Sequence, residues 1–475
     1  MFFSAYTLGC KLNQLETEAI SDSFRREGFK ITPWGFEDTQ GLANAQSLGA
    51  SILLINTCTV TSMAEQKARR VIRKTLREYP GACLFVTGCY AQMEKAALLT
   101  LAEGAAGRLF VIPGEKKDRL IDLARFIKNE GISFPVSVTT LSELINSWLT
   151  SDQQYIDDKD GAFRFAPPKF SSRSRGFLKI QDGCDNSCAY CRVNLARGKS
   201  RSLGAKDVLA QLLSLEEQGY NEAVLAGVNV SQYNDSGMGF PGLLDFLLRE
   251  TERIRLRLSS IEPDLFTEEF FRVLSGERIR PHFHLSVQSG SEKILAKMGR
   301  FYTPVELKNA VQQLRQVKHD PFLACDIIAG FPGEKPEDFE KTIEFCKKAA
   351  FAWIHAFPFS PRPGTAASRF SEKVNEKDKA ARVGLLTELA RKGRNDYLAR
   401  WKGREVEAVV EGEKEKGKKG KELAALSENY LKLLVTCGEG LNPAAGSLIR
   451  CRISEAVTGR FDALAELKLL PYNFD

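Results

Sequence analysis

No apolar run in this 475-residue sequence approaches the ~18 residues that a membrane-spanning helix requires, so a helical membrane protein is excluded. The densest stretch, Ile52-Leu53-Leu54-Ile55, is short enough to be one buried strand. The start, Met1-Phe2-Phe3-Ser4-Ala5-Tyr6, lacks the basic segment and long apolar segment of a secretory leader, and a cytoplasmic location is expected. Charge of one sign is not in strong excess. The 67 basic and 60 acidic residues give +7, a balance as compatible with plain solubility as with nucleic-acid binding. An even cysteine count is lacking too. Eleven cysteines in a long chain argue against a disulfide framework and leave metal or redox chemistry as the leading account.

What is present is an ordinary globular composition, 43% hydrophobic and 27% charged, in a length that suggests about three domains. Residues 1–128 alternate apolar runs with helical patterns. Phe2–Leu8, Ser51–Asn56, Cys83–Thr87 and Leu109–Ile112 read as strands of an α/β domain with a doubly wound parallel sheet. Ser62-Met63-Ala64-Glu65 has the form of a capping box, and Ala64, Ala68, Val71, Ile72 and Leu76 make one apolar face behind it. Residues 129–172 break the rhythm and are expected to form a linker with a little structure of its own, polar at Asp152–Asp160 and stiff at Ala166-Pro167-Pro168.

Alternation resumes in a domain over 173–400. Six strands are expected at Phe177–Gln181, Glu222–Ala226, Ile254–Ser259, His282–Val287, Phe322–Ile328 and Trp353–Phe357, followed by a basic helical connector. Periodicity does not choose between an open doubly wound sheet and a partial barrel. Over 401–470, Val406–Val410, Tyr430–Thr436 and Ser447–Ile453 read as strands with glycine-rich turns and no helix between them, a small all-β module. Its Gly412-x4-Gly417-Lys418-Lys419 lacks both the terminal Ser or Thr and the strand–helix setting of a phosphate loop.

The chemistry is concentrated in Cys184-Asp185-Asn186-Ser187-Cys188-Ala189-Tyr190-Cys191, directly after the first strand of the middle region. Three thiolates in one tight loop, with no fourth Cys or His nearby, do not suit structural zinc. They suit a four-iron cubane whose fourth iron stays open. Cys10, Cys58 and Cys89 each end a strand of the N-terminal region. In a parallel sheet those ends face one crevice, although position alone is equally compatible with three small buried hydrophobes. Cys83, Cys325, Cys346, Cys437 and Cys451 are expected to be such hydrophobes.

The C-x3-C-x2-C spacing, with Tyr190 before the last Cys, resembles the signature of the radical S-adenosylmethionine (SAM) superfamily. Thr7-Leu8-Gly9-Cys10-Lys11-Leu12-Asn13-Gln14, Asn56-Thr57-Cys58-Thr59-Val60-Thr61 and Thr87-Gly88-Cys89-Tyr90-Ala91-Gln92 resemble the three N-terminal cysteine motifs of the radical SAM methylthiotransferases. Ala196 to Ser202, His284 to Ser291, Asp326 to Glu334 and Phe359 to Thr365 continue the resemblance, and the β module is similar to that family's RNA-binding TRAM domain. The Gly-Cys-Lys-Leu-Asn-Gln start and the His-Leu-Ser-Val-Gln-Ser-Gly run look most like the branch acting on N6-threonylcarbamoyladenosine in tRNA. Arg192-Val193-Asn194-Leu195 departs from the family's usual two aliphatics and a proline.

The resemblance implies a partial (β/α)6 barrel in the middle and a TRAM-like β barrel at the end. It implies two 4Fe-4S clusters, one on Cys10, Cys58 and Cys89 and a catalytic one on Cys184, Cys188 and Cys191, with SAM as cosubstrate. It places Tyr190, Gly227, Asn229 and Ile328 beside SAM, and Glu262, Gln288 and Arg300 as polar wall or substrate contacts. His282, His284, His319 and His355 are then expected to be structural, because cysteines supply both clusters. The implied partners are the anticodon loop of tRNA, a reducing electron donor and a sulfur donor, with no membrane. Arg197, Lys199, Arg201 and connector residues Arg391, Lys392, Arg394 and Arg400 are expected either to meet RNA phosphates or to form a solvated basic surface. Rival readings are methylthiolation of isopentenyladenosine tRNA or of a ribosomal protein and, from another class, a non-catalytic iron–sulfur RNA-binding protein.

Overall fold

The structure is a computed structural model that describes residues 1–32, 34, 51–102, 104–131, 136–151, 161–165, 174–413, 422–438, 441–457 and 459–469. The N-terminal strands are β1 (Phe2–Thr7), β2 (Lys30–Ile31), β3 (Ser51–Thr57), β4 (Ala82–Gly88) and β5 (Leu109–Val111). All pair in parallel in the order β2-β1-β3-β4-β5, the doubly wound topology expected, with β2 added by a pairing too short to leave a sequence pattern. The order reverses between β1 and β3, and such a switch point opens a crevice at the carboxyl ends of the strands. Register aligns those ends, since Thr7 pairs with Asn56 and Asn56 with Thr87. Successive side chains of β3 point to opposite faces, Ile52 and Leu54 into one core and Leu53 and Ile55 into another.

Helix α1 (Lys11–Arg26) follows β1, and α2 (Ser62–Glu78) follows β3. The capping box expected at Ser62 is not the one formed. Thr61 caps α2 by accepting from the Ala64 N–H, and Glu65 is turned inward to arginines of the middle domain. The linker expectation also needs correction. Residues 129–172 contain α3 (Val138–Thr150), which packs on β4 and buries Leu141, Ile145 and Trp148 in the main core. That i, i+4, i+7 stripe is short and is diluted by Thr139, Thr140, Ser142 and Asn146. The Asp152–Asp160 and Ala166–Pro168 segments lie outside the described residues.

The middle strands are β6 (Gly176–Lys179), β7 (Glu222–Ala226), β8 (Arg255–Leu258), β9 (His282–Gln288), β10 (Phe322–Ala329) and β11 (Trp353–Pro358). They pair in chain order, β6-β7-β8 and β9-β10-β11, and the bridges Leu256↔Ile279 and Ile261↔Leu285 join the two halves. An order without reversal is that of a partial barrel, which settles the choice that periodicity left open. Helix α1 packs on β6, so one core cluster runs from Phe3 and Leu15 through the barrel to Leu386.

Helix α4 (Glu376–Trp401) leads to a closed barrel of β12 (Glu405–Glu413), β13 (Glu422–Ser427), β14 (Lys432–Thr436), β15 (Leu448–Ala456) and β16 (Ala463–Leu469). Strands β13 and β16 were not expected. The alanines of β13 are weak strand formers, and β16 closes the barrel through a parallel pairing with β14. The small barrel shares a core with Phe322, Ala352 and Trp401. Below it, Arg257 and Arg280 hold the fully buried Glu222 at 2.6 and 2.9 Å, while Arg257 also donates to the carbonyls of Ser427 and Glu428.

Burial alone pushes the Glu222 carboxyl up, but Arg257 and Arg280 outweigh it and hold it at about 2, below its ordinary 4.5. A depressed carboxylate contributes stability that is complete above its unfolded value and is lost as pH falls towards the folded one. The urea-midpoint gap between wild type and Glu222→Gln should therefore narrow on acidification from pH 4.5 towards 2. Parallel profiles would show that this carboxylate does not carry the linkage.

Candidate active site

The three N-terminal cysteines meet at the crevice above the switch point. Asn13, buried on α1, ties β1 to β3 by donating to the carbonyls of Leu8 (2.9 Å) and Thr57 (3.0 Å). Gly9 has a φ of +110°, and a Cβ there would fall 2.8 Å from the Cys58 Cβ, so only glycine lets Cys10 approach Cys58. Burial pushes the Cys58 thiol up to about 11, and the neighbouring Cys89 and Cys10 add to it. A cavity of about 330 Å³ lies against Cys89, lined also by Gln92, Lys117, Arg197, Lys199 and Arg201.

The loop from Cys184 to Cys191 is pinned on both sides. The Ala189 N–H donates to the Met298 carbonyl at 2.9 Å, and the Ala189 carbonyl accepts from the Ala367 N–H at 2.7 Å. Gly183 lets the loop cross the chain at Lys199, whose carbonyl a Cβ would meet at 1.9 Å. Burial raises the thiols of Cys184 and Cys188 and pushes Cys191 up to about 12. Two donors nevertheless point at sulfur, the Val193 N–H at Cys191 Sγ (3.4 Å) and the Asn229 amide at Cys184 Sγ (3.8 Å).

Donors aimed at sulfur favour thiolate, which desolvation otherwise opposes, and a cationic cluster core resolves that conflict. Among the described residues no group of three Cys, His, Asp or Glu side chains is set to hold a single metal ion. A cubane, giving each thiolate its own iron, calls for wider spacing. The loop therefore fits a cluster. The N-terminal site fits one on charge as well. Lys117, Lys179 and Arg197 outnumber Glu16 and Asp182 in a buried network, and the charges of Lys117 and Arg197 act on Cys89.

Of the residues expected beside SAM or in the wall, three are bonded together. Arg300 donates to the Tyr190 hydroxyl at 2.6 Å and pairs with Glu262, whose carboxyl burial still raises. Ile328 joins Tyr190, Phe331 and Phe359 in a small apolar group beneath the loop. Asn229 reaches Cys184, while Gly227 backs onto Gln181 and Val230. Gln288 ends β9 after a register shift with φ +62°, a strained conformation that the surrounding packing has to hold.

Four features escaped sequence reasoning. First, Glu65 is a hub for Thr59 (2.5 Å), Arg192 (3.3 Å) and Arg362, and Arg192 also pairs with Glu94 at 2.9 Å. This explains the departure at Arg192, because the residue is a buried bolt between domains. Second, Arg197 is buried in the Glu16 network and is not open to phosphate; Lys199 and Arg201 remain exposed. Third, Arg394 and Arg400 are engaged by Asp462 and Asp320, leaving Arg391 and Lys392 exposed.

Fourth, the barrel lumen is polar. His284 lies 2.9 Å from Ser260 Oγ and 3.1 Å from Asp326 Oδ1, and its ring stands 5.1 Å from that of His355. Tyr430 stacks at 4.1 Å on His282, one layer below. Alternation of His282, His284 and Ser286 along β9 is the signal that would have revealed this lumen. The pairings across more than a hundred residues left no such trace. Cys83, Cys325, Cys346, Cys437 and Cys451 are buried as expected.

No helix among the described residues is long and apolar enough to cross a membrane. A family profile described as the radical SAM superfamily matches residues 178–346, and one described as uncharacterized protein family UPF0004 matches residues 3–107. The chain is 38% identical to the threonylcarbamoyladenosine tRNA methylthiotransferase MtaB of Treponema pallidum, over 94% of this chain and 97% of that one. It is 31% identical to the tRNA-2-methylthio-N(6)-dimethylallyladenosine synthase of Thermodesulfovibrio yellowstonii, over 86% of this chain and 88% of that one. Among solved structures, the radical SAM methyltransferase TsrM of Kitasatospora setae shares the fold, with TM-score 0.52 and 17% identity over 77% of each chain. Cysteine loop, barrel, crevice and relatives agree: the chain belongs to the radical SAM tRNA methylthiotransferase family.

Proposed function

We propose that this enzyme adds a methylthio group to C2 of N6-threonylcarbamoyladenosine in the anticodon loop of tRNA. The cofactors are two 4Fe-4S clusters and SAM, and the bound catalytic cluster supplies the electron that cleaves SAM to a radical able to abstract hydrogen from an unactivated carbon. In this reading Cys184, Cys188 and Cys191 hold that cluster, and Cys10, Cys58 and Cys89 hold the second.

The observation that carries the reading is the direct link between the two cysteine-bearing segments. Arg197, six residues after Cys191, donates to Asn13, which itself accepts from Cys10. The Arg300–Glu262–Tyr190 set fixes one wall, and Asn229 orients Cys184. Val60, Met63, Leu195 and Phe357, from segments that follow the cysteines or end β11, stay exposed and can stack or pack against a splayed anticodon base. A cytoplasmic setting, with an electron donor and a sulfur donor, follows from the substrate. The threonylcarbamoyl branch is favoured over the isopentenyl one because the lumen carries the polar set His284, Ser260 and Asp326.

Mass spectrometry of tRNA nucleosides from a deletion strain should show the methylthiolated threonylcarbamoyl nucleoside missing and its precursor accumulated. Persistence of that product, with loss of the isopentenyl one, would transfer the assignment to the other branch.

A further inference from the structure

Lys11 is an anomaly where the N-terminal domain meets the barrel. It opens α1 directly after Cys10, yet its ammonium points away from the crevice and lies 5.8 Å over the Tyr430 ring. Among the described residues no carboxylate lies within ion-pair distance of it. The charged groups around it are Arg257, Arg175 and Glu222, and Glu222 is already held by Arg257 and Arg280. Lys11 is half-buried, and a lysine held there without a carboxylate partner is costly, so the cation calls for an anion that arrives with a ligand.

The charge of Lys11 reaches His355 on the last barrel strand. Trp353, His355 and Phe357 are alternate residues of β11 and share its lumen face, and His355 and Phe357 are exposed although the strand pairs along its length with β10. The rings of His355 and Phe357 stand 6.5 Å apart and 18° from parallel, and His355 also meets His284. Tyr430 and His282 lie one layer below. An aromatic wall on one side and a cation on the other match a purine whose N6 substituent ends in a carboxylate.

We propose that Lys11 is the counter-cation for the threonylcarbamoyl carboxylate of the target adenosine, which enters the lumen from the cysteine-bearing face and lies against His355 and Phe357. This rests on the substrate reading above. Lys11 thereby becomes a specificity-determining residue, distinct from the cluster ligand beside it.

The test uses full-length protein and anticodon stem-loop RNAs bearing adenosine, N6-threonylcarbamoyladenosine or its methyl ester at the target position. Affinities are read by fluorescence anisotropy, with iron content measured in parallel. Wild type should bind the acid about 10- to 100-fold more tightly than the ester, the worth of one charge-assisted contact. Lys11→Gln should bring that ratio close to one, and Lys11→Arg should preserve much of it. A Lys11→Gln protein that still separates acid from ester overturns the proposal. So does wild type that ignores esterification, a result needing no variant to fold. Wild type with no preference for the threonylcarbamoyl RNA over plain adenosine would instead overturn the substrate reading itself.

Discussion

Protein in which Cys184, Cys188 and Cys191 are all alanine should keep about half of its iron after anaerobic reconstitution and cleave no SAM. The complementary Cys10/Cys58/Cys89 protein should also keep about half, still cleave SAM to 5′-deoxyadenosine, and form no methylthio product. The reason is separation. The first set stands on one loop pinned by Met298 and Ala367, whereas the second is spread over the ends of β1, β3 and β4. Iron quantitation and product chromatography read both outcomes. Full iron in the second variant would remove the N-terminal cluster, and loss of SAM cleavage in a well-folded second variant would dissolve the division of labour.

Glu16→Gln should be among the most destabilising single changes in the chain, at about 3–5 kcal/mol, because it strands buried cations. Glu16 is fully buried, and Arg197 and Lys179 lie 3.0 and 2.9 Å from it, with Lys117 closer still. Burial by itself pushes its carboxyl up, but Arg197, Lys117 and Lys179 together hold it well below the usual range. Asp182 alone would then face three cations. Since Glu16 and Lys117 belong to the N-terminal domain and Lys179 and Arg197 to the barrel, the loss should appear as loosening between domains. Hydrogen exchange should rise in α1 and β6 together. Glu27→Gln, which breaks a rim pair with Lys128 at 3.2 Å, should change little and serves as the control. Equal thermal shifts in the two variants would show that the buried network contributes no more than a surface pair.

The sequence by itself determined most of the strands, because four- to seven-residue apolar runs between helical stripes are short-range patterns. It determined the cysteine loop, because three thiols within eight residues need no tertiary information to be neighbours. It placed Cys10, Cys58 and Cys89 at strand ends, and parallel pairing did the rest. It misjudged α3, whose stripe is diluted by polar residues, and it missed β13 and β16, which owe their form to barrel closure. Only the tertiary structure decided barrel against open sheet, since both share one local alternation and differ in which strand lies beside which. Only the tertiary structure assigned the charged residues. Arg192, Arg197, Glu16 and Glu65 look like surface groups in the sequence, and each is buried by partners far along the chain. An ion pair has no period, so its partner is fixed by packing alone.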